Sequence, residues 1–198
     1  MRAIALIGLV VGAAVGISHV GLGAQAPARG AAPPSPARGA AAPARPAAGA
    51  RVQGNLLQVM RGVVYPASNV VFAAQQDPAA VKPAEDPATS PNPLSSAYGG
   101  WTAVENAGIT LAESANLLTI PGRVCGNGKP VPMQNADWPR FVQDLRNAGM
   151  AVYKAAQSKN VDNVIEVADQ MTLACSNCHD VYREKTSAQG GLAARCTK

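Results

Sequence analysis

Apolar residues recur at three- and four-residue intervals in four stretches of the chain, the spacing of one face of an amphipathic helix. These stretches predict helices over residues 52–74, 97–119, 138–158 and 161–186. No convincing alternation of apolar and polar residues predicts a strand. Pro66 interrupts the first helix and is expected to kink it without ending it, because the apolar spacing continues beyond this residue. The pattern therefore predicts an all-α protein.

Two of the predicted helices have a well-defined apolar face. The first helix carries the stripe Val52, Leu56, Val59, Val63, Ala67, Val70 and Ala74. The last helix carries the seam Val161, Ile165, Ala168, Thr172, Cys175, His179 and Tyr182. Between the helices lie a proline-rich loop (77–96) and a Gly/Pro-rich loop (122–132). Asp137 is expected to be the N-cap of the third helix, with Pro139 tolerated in the first turn.

The amino-terminal part of the chain divides by composition. Residues 1–24 resemble a secretory signal peptide, with Arg2 followed by an apolar run that is short for a membrane span. Residues 25–51 form an Ala/Pro/Arg tract with almost no large apolar side chains, which predicts a disordered linker. Residues 52–198 have the length of one domain. We expect an exported, periplasmic protein without a stable membrane span once the signal is removed.

Charge is distributed unevenly. The whole chain has 17 basic and 12 acidic residues, and five of the basic ones precede Val52. The 12 basic residues that remain equal the acidic ones in number, so the predicted domain is neutral. A neutral domain carries no electrostatic footprint for nucleic acid, and none is expected as a partner.

The stretch Cys175-Ser-Asn-Cys178-His179 carries the strongest chemical information. C-x-x-C-H is the attachment motif of haem c, in which two thiols form thioethers with the porphyrin and the histidine binds the iron. A thioredoxin-like pair would open a helix in a βαβ unit, whereas this motif lies deep in a helical pattern. A zinc site would need a second ligand pair, and neither Cys125 nor Cys196 supplies one. We therefore expect one covalently attached haem c.

The last two helices resemble those of the cytochrome c-prime class and its methionine-ligated low-spin relatives. The residues that carry this resemblance are Asp137, Trp138, Phe141, the short link Lys159-Asn160 and the run from Cys175 to Lys185. The resemblance implies an antiparallel four-helix bundle with the haem near one end. It also implies that the last helix holds the proximal side, that the first helix covers the distal side, and, more weakly, that the protein forms a homodimer.

The same resemblance suggests roles for three residues outside the motif. Met60 is the candidate distal ligand to the haem iron; the alternative is that Met60 fills space and Leu56 or Leu57 caps an open site. Arg183 is expected near the haem on the proximal side; the alternative is a solvated charge at the helix end. Tyr182 is expected to pack against the porphyrin edge.

The histidine and cysteine counts add two constraints. His19 lies in the predicted signal peptide, so His179 would be the only histidine of the mature chain, and a haem with two histidine ligands from one mature chain is excluded. Cys125 and Cys196 remain as an even pair after haem attachment, and in an oxidising compartment they are expected to form a disulfide. Two free thiols are the alternative.

These features support three hypotheses about function. The first is an electron-transfer cytochrome that serves redox partner proteins through its single haem. The second is a five-coordinate haem protein that binds small gases such as nitric oxide or carbon monoxide. The third, suggested only by the linker, is a component of an exported redox complex. No second histidine or acid–base pair points to an enzyme.

Overall fold

The structure, a computed structural model, describes residues 51–198 and contains helices but no strand within that range. In chain order its main elements are α1 (Leu56–Val59), a π-helical turn (Met60–Val64), α2 (Tyr65–Ala73), α3 (Trp101–Leu117), α4 (Trp138–Ser158) and α5 (Val161–Tyr182). The first three run on without a break and are together called the first helix. The predicted signal peptide and the predicted linker, apart from Arg51, lie outside the described residues.

The helices pack in the order in which they follow one another. The first helix packs against α3, α3 packs against α4, and α4 packs against α5. This all-helical arrangement is compatible with a helical bundle and confirms the predicted fold class at that level. No helix within residues 51–198 is long and apolar enough to cross a membrane.

The contact between α3 and α4 is unusually close because two glycines face each other there. A Cβ atom on Gly108 would lie 2.5 Å from the backbone nitrogen of Tyr153 and 2.9 Å from the carbonyl oxygen of Gly149. A Cβ atom on Gly149 would collide in the same way with the backbone of Ala112. The two helices therefore touch through their backbones, and no side chain fits between them.

The π-helical turn changes the register of the first helix. The backbone N–H of Tyr65 donates to the carbonyl of Met60, five residues back, and Pro66 follows with no N–H to donate. The helix continues past Pro66, as predicted. Because the turn contains one extra residue, the buried positions are Val59 and Val64, and the prediction of Val63 in this stripe was wrong.

The buried face of α5 also differs from the predicted seam at two positions. Ile165 is 41% exposed and Thr172 is exposed, although both were predicted to be buried. Val164 and Met171, the residues directly before them, are buried in their place, whereas Ala168 and Tyr182 of the predicted seam are buried as expected. The reason is that α5 packs mainly against α4 and has little contact with the first helix. The side of α5 that faces the first helix is therefore left open.

Local hydrogen bonds explain where the helices begin and end. Asn55 starts the first helix four residues later than predicted, because its Oδ1 accepts from the N–H of Gln58 at 2.9 Å while Gln58 Oε1 accepts from the N–H of Asn55 at 2.8 Å. α3 begins after Gly100, whose φ of 58° favours glycine. α5 ends at Tyr182, earlier than predicted, and the carbonyl of His179 accepts the next two backbone N–H groups at 2.7 Å each.

Asp137 precedes α4 at the expected N-cap position, but its side chain makes no capping hydrogen bond. The carboxylate instead accepts a hydrogen bond from the hydroxyl of Tyr182 and forms an ion pair with Lys198. The N-cap position was therefore predicted correctly, although the Asp137 side chain does not bond to the first turn of α4. The Asp137 carboxylate bonds to residues at the end of α5 and at the carboxyl terminus, and not to the backbone N–H groups of the first turn of α4.

Candidate functional site

A cavity of about 1010 Å³ lies between the first helix and the carboxyl-terminal half of α5. Its lining includes all six residues that were predicted to bind the cofactor: Met60, Cys175, Cys178, His179, Tyr182 and Arg183. The rest of the lining is mostly apolar. This volume is at the upper end of the range of about 300–1000 Å³ that small-molecule and cofactor sites occupy. The structure thus brings the predicted site residues together around one space.

The pentapeptide reaches this cavity because α5 is regular over its whole length. Asn160 begins the helix by accepting hydrogen bonds from the N–H groups of Asp162 and Asn163. Cys175, Cys178 and His179 then fall at positions i, i+3 and i+4 and share one face. Both cysteines are half-buried and neither is in a disulfide. Two thiols and one imidazole therefore face the same cavity.

Burial keeps the two motif thiols protonated. Desolvation raises the pKa of Cys175 above its ordinary value, and it raises the pKa of Cys178 to about 12, with smaller contributions from the charges of Cys175 and Asp137. At neutral pH both sulfurs therefore carry their hydrogen. Cys175 and Cys178 would be the residues that hold a haem c, through thioether bonds.

His179 is half-buried, and its imidazole is in the neutral form at neutral pH. Burial, and secondly the positive charge of Arg183, lower the pKa of His179 below its ordinary value. No side-chain hydrogen bond engages the ring from any other residue in the range 51–198. A neutral imidazole with a free lone pair is the form that binds a metal.

Met60 lies at the start of the π-helical turn and lines the same cavity as His179. The two residues also line a second, smaller apolar space, together with both motif cysteines. π-helical turns are frequent at functional sites. Leu56 and Leu57, the alternative caps of an open site, lie one turn earlier and line the cavity too.

The bottom of the site is an aromatic cluster around Tyr182, which is 4% exposed. The Tyr182 ring meets the rings of Trp138 and Phe141 edge-on, with centroids 5.3 and 6.0 Å apart. Its hydroxyl donates to Asp137 Oδ1 at 2.6 Å and accepts from Asn135 Nδ2 at 3.0 Å. Tyr182 lines the cavity with a ring that these contacts hold in one orientation.

Arg183 also lines the cavity, but its guanidinium forms an ion pair with Glu184, the next residue. Both side chains are 52% exposed, so this pair contributes little to stability. Arg183 is therefore placed at the edge of the cavity, near His179, and its charge is already partly balanced.

The carboxyl-terminal segment forms a wall of the cavity that the motifs did not predict. Leu192, Arg195 and Cys196 line the cavity from this segment, and Cys125 and Asn127 line it from the loop before α4. Neither part of the chain has a periodic pattern. The even number of cysteines left over was the one feature that linked the two segments in the sequence.

The two segments are joined covalently and by hydrogen bonds. Cys125 and Cys196 form a disulfide with their Cα atoms 6.5 Å apart, closing a loop with a sequence separation of 71. Asn127 Nδ2 lies within hydrogen-bond distance of three carbonyl oxygens of the segment, those of Leu192, Ala193 and Arg195. The segment is thereby held against the loop.

The loop in turn is fixed to the rest of the domain by Arg123, a buried residue that is 4% exposed. Its guanidinium donates to the carbonyl of Leu117 at the end of α3 and to the carbonyl of Gly54 before α1. The N–H of Leu56 donates to the carbonyl of Val124 at 2.8 Å. The cavity wall is therefore attached to both the first helix and α3.

Together these features fit a haem covalently attached to α5. The cavity is large and apolar, two protonated thiols stand at the motif spacing, and a neutral imidazole follows the second thiol. A thioether faces the same space from the first helix. Each group that haem c attachment requires from the protein is present within one cavity.

Comparisons of this chain with protein-family models, with curated proteins and with solved structures find no match.

Proposed function

We propose that this protein is an exported c-type cytochrome that carries one haem c and transfers single electrons. The observation that carries this proposal is the position of Cys175, Cys178 and His179 on one face of α5, directed into an apolar cavity of about 1010 Å³. The two cysteines would hold the porphyrin through thioethers, and His179 would be the proximal ligand. In this proposal the four helices form an antiparallel bundle of the cytochrome c-prime type.

The bound haem supplies the chemistry, a one-electron change between ferric and ferrous iron. The protein would hold the haem in an apolar cavity, where few polar groups would reorganise when the charge of the iron changes. Trp138 and Tyr182 support the helix that carries the iron ligand. The protein would thus be an electron carrier for redox partner proteins and not an enzyme.

Single-cysteine variants test the attachment. The protein would be expressed with the c-type ligation machinery, denatured in alkaline pyridine, and its ferrous spectrum recorded. We expect the band position typical of a haem with two thioether bonds for the native chain. Cys175→Ala or Cys178→Ala should shift the band toward that of a haem with one remaining vinyl group. Cys125→Ala, which removes a cysteine of the same cavity outside the motif, should leave the position unchanged, and a shift there would contradict the assignment.

Met60 is the proposed distal ligand, because its thioether faces the cavity that His179 also lines. A His/Met pair raises the reduction potential, as suits an electron carrier. The ferric protein should then be low-spin with a methionine-to-iron charge-transfer band, and Met60→Ala should abolish that band. Met150→Ala, on an exposed part of α4, is the matched control. A high-spin spectrum unchanged by Met60→Ala would remove Met60 from the site.

Binding of small gases is the second candidate function. It is favoured by the leucines at positions 56 and 57, which line the cavity one turn from Met60 and could cover an open coordination site. In that case the ferrous protein would bind carbon monoxide rapidly and without displacing a protein ligand. A low-spin ferrous spectrum, unchanged by carbon monoxide, would favour electron transfer instead.

Export to the periplasm and a homodimer complete the proposal, and a component of an exported redox complex is the third candidate function. Residues 1–24 would direct export, and haem attachment would follow outside the cytoplasm. Cell fractionation of the full-length chain tests this: the haem-bearing protein should be recovered from the periplasm. Size-exclusion chromatography and co-purification from that fraction would address the dimer and the complex.

A further inference from the structure

The charged residues that line the cavity include more basic than acidic side chains. Four charged residues line it: Arg61, Arg183, Glu184 and Arg195. Arg183 is paired with Glu184. Arg61 and Arg195 have no acidic partner within 4.0 Å among residues 51–198. The rim of an otherwise apolar cavity therefore has unpaired positive charge.

Arg195 differs from Arg61 in how firmly it is held. Its carbonyl lies 2.9 Å from Asn127 Nδ2, and the next residue, Cys196, is bonded to Cys125. The N–H of Cys196 donates to the carbonyl of Tyr182 at 2.8 Å, which ties this position to the end of α5. Arg195 is half-buried, whereas Arg61 is exposed. The backbone at Arg195 and Cys196 is thus held by two hydrogen bonds and one disulfide. The guanidinium of Arg195 has no acidic partner within the described part of the chain.

A guanidinium carried by a fixed backbone at the edge of an apolar cavity suits a carboxylate, because its planar donors match the two oxygens of that group. A haem has two propionate carboxylates at one edge, and these need partners where the rest of the molecule is buried. We propose that Arg195 binds a haem propionate, and that the disulfide between Cys125 and Cys196 positions it to do so. This inference rests on the proposed haem attachment.

The experiment uses the full-length holoprotein and measures the propionate bending band in its resonance Raman spectrum, which reports hydrogen bonding to that carboxylate. Arg195→Gln removes the charge and the paired donors, and Arg195→Lys keeps the charge but offers only one compact donor. Arg146→Gln on α4, where the guanidinium donates to Asn116 of α3, removes the same charge away from the cavity and serves as the matched control. The reduction potential is measured on the same samples.

We expect the band to shift in Arg195→Gln, to shift less in Arg195→Lys, and to stay in place in Arg146→Gln. The potential should fall in Arg195→Gln, because a positive charge that stabilises the reduced iron is lost, and should remain close to the native value in Arg195→Lys. If Arg195→Gln gives no holoprotein, the propionate band of Arg195→Lys tests the proposal alone. Both variants lack the paired guanidinium donors, so a shift is expected in either.

A holoprotein whose band is the same in the native chain and in the Arg195 variants would overturn this assignment and leave the haem itself intact. A band that moved in Arg61→Gln alone would overturn it too. A native chain that matured without any haem would instead contradict the proposed function, and this inference would then fail as well. The two failures are therefore distinguishable.

Discussion

The hydroxyl of Tyr182 donates a hydrogen bond of 2.6 Å to Oδ1 of Asp137, which joins the last residue of α5 to the residue that precedes α4. Asp137 Oδ2 also forms an ion pair of 3.0 Å with Lys198 at the carboxyl terminus. Three distant parts of the chain therefore meet at one carboxylate, and Tyr182 lies less than one helical turn beyond the proposed iron ligand. This junction holds α4, α5 and the carboxyl-terminal segment together below the cavity.

Tyr182→Phe should lower the free energy of unfolding by about 1–2 kcal/mol, because a buried hydroxyl that hydrogen-bonds to a charged group is lost while the ring packing is kept. Chemical denaturation followed by circular dichroism measures the change. Tyr153→Phe is the matched control, since the Tyr153 hydroxyl only accepts from Gln157 on the exposed side of α4. Equal effects of the two substitutions would contradict the role given to the junction.

Asp137 should make stability depend on pH in acid. The hydrogen bond from Tyr182, together with Lys198, holds the pKa of Asp137 below its usual 3.8. The stabilisation is therefore complete above the pKa of the unfolded chain, and is lost as the pH falls through the lower pKa of the folded state. Between about pH 5 and pH 2, Asp137→Asn should show a flatter decline in the free energy of unfolding than the native chain. Parallel declines in the two proteins would show that Asp137 does not contribute.

Gly149→Ala should destabilise the protein by about 1–3 kcal/mol or more, because its methyl group would collide with the backbone of α3 at Ala112. Thermal unfolding measures the loss. Gly62→Ala provides the control: a Cβ atom there meets nothing within 4 Å, so replacing a helical glycine should be neutral or stabilising by up to about 1 kcal/mol. A tolerated alanine at position 149 would mean that α3 and α4 do not touch through their backbones.

Loss of the disulfide should cost about 4 kcal/mol, since the bond closes a loop with a sequence separation of 71 in the unfolded chain. The double substitution Cys125→Ala with Cys196→Ala avoids leaving polar atoms at two buried positions. Its free energy of unfolding should be lower than that of the native chain and insensitive to reductant. Native protein that unfolds at the same denaturant concentration with and without reductant would argue against the bond.

The sequence predicted the helices well because their apolar spacing is local, but it missed one register change that depends on Pro66. The first helix inserts a π-helical turn before this proline, and the buried position moves from Val63 to Val64. A regular 3.6-residue period cannot reveal an inserted residue. The predicted starts of the first helix and of α3 were too early for a related reason. The apolar spacing begins before Asn55 and Gly100, the residues at which these helices start.

The candidate site was predictable on α5, where the chemistry lies within five consecutive residues. Its opposite wall was not, because Asn127 and Arg195 are 68 positions apart and no pattern connects them. The tertiary partners of the Asp137 carboxylate, Tyr182 and Lys198, were not predicted either, since they come from far along the chain. Contacts between distant, aperiodic segments depend on the folded backbone and leave no trace in local spacing.

The mass of the denatured, reduced protein tests the central claim most directly. Material produced with the c-type ligation machinery should weigh one haem more than its mature polypeptide, and a proteolytic peptide containing Cys175, Cys178 and His179 should carry that added mass. The double substitution of both motif cysteines by alanine should remove it. A colourless protein with the mass of its amino acids alone would contradict the account.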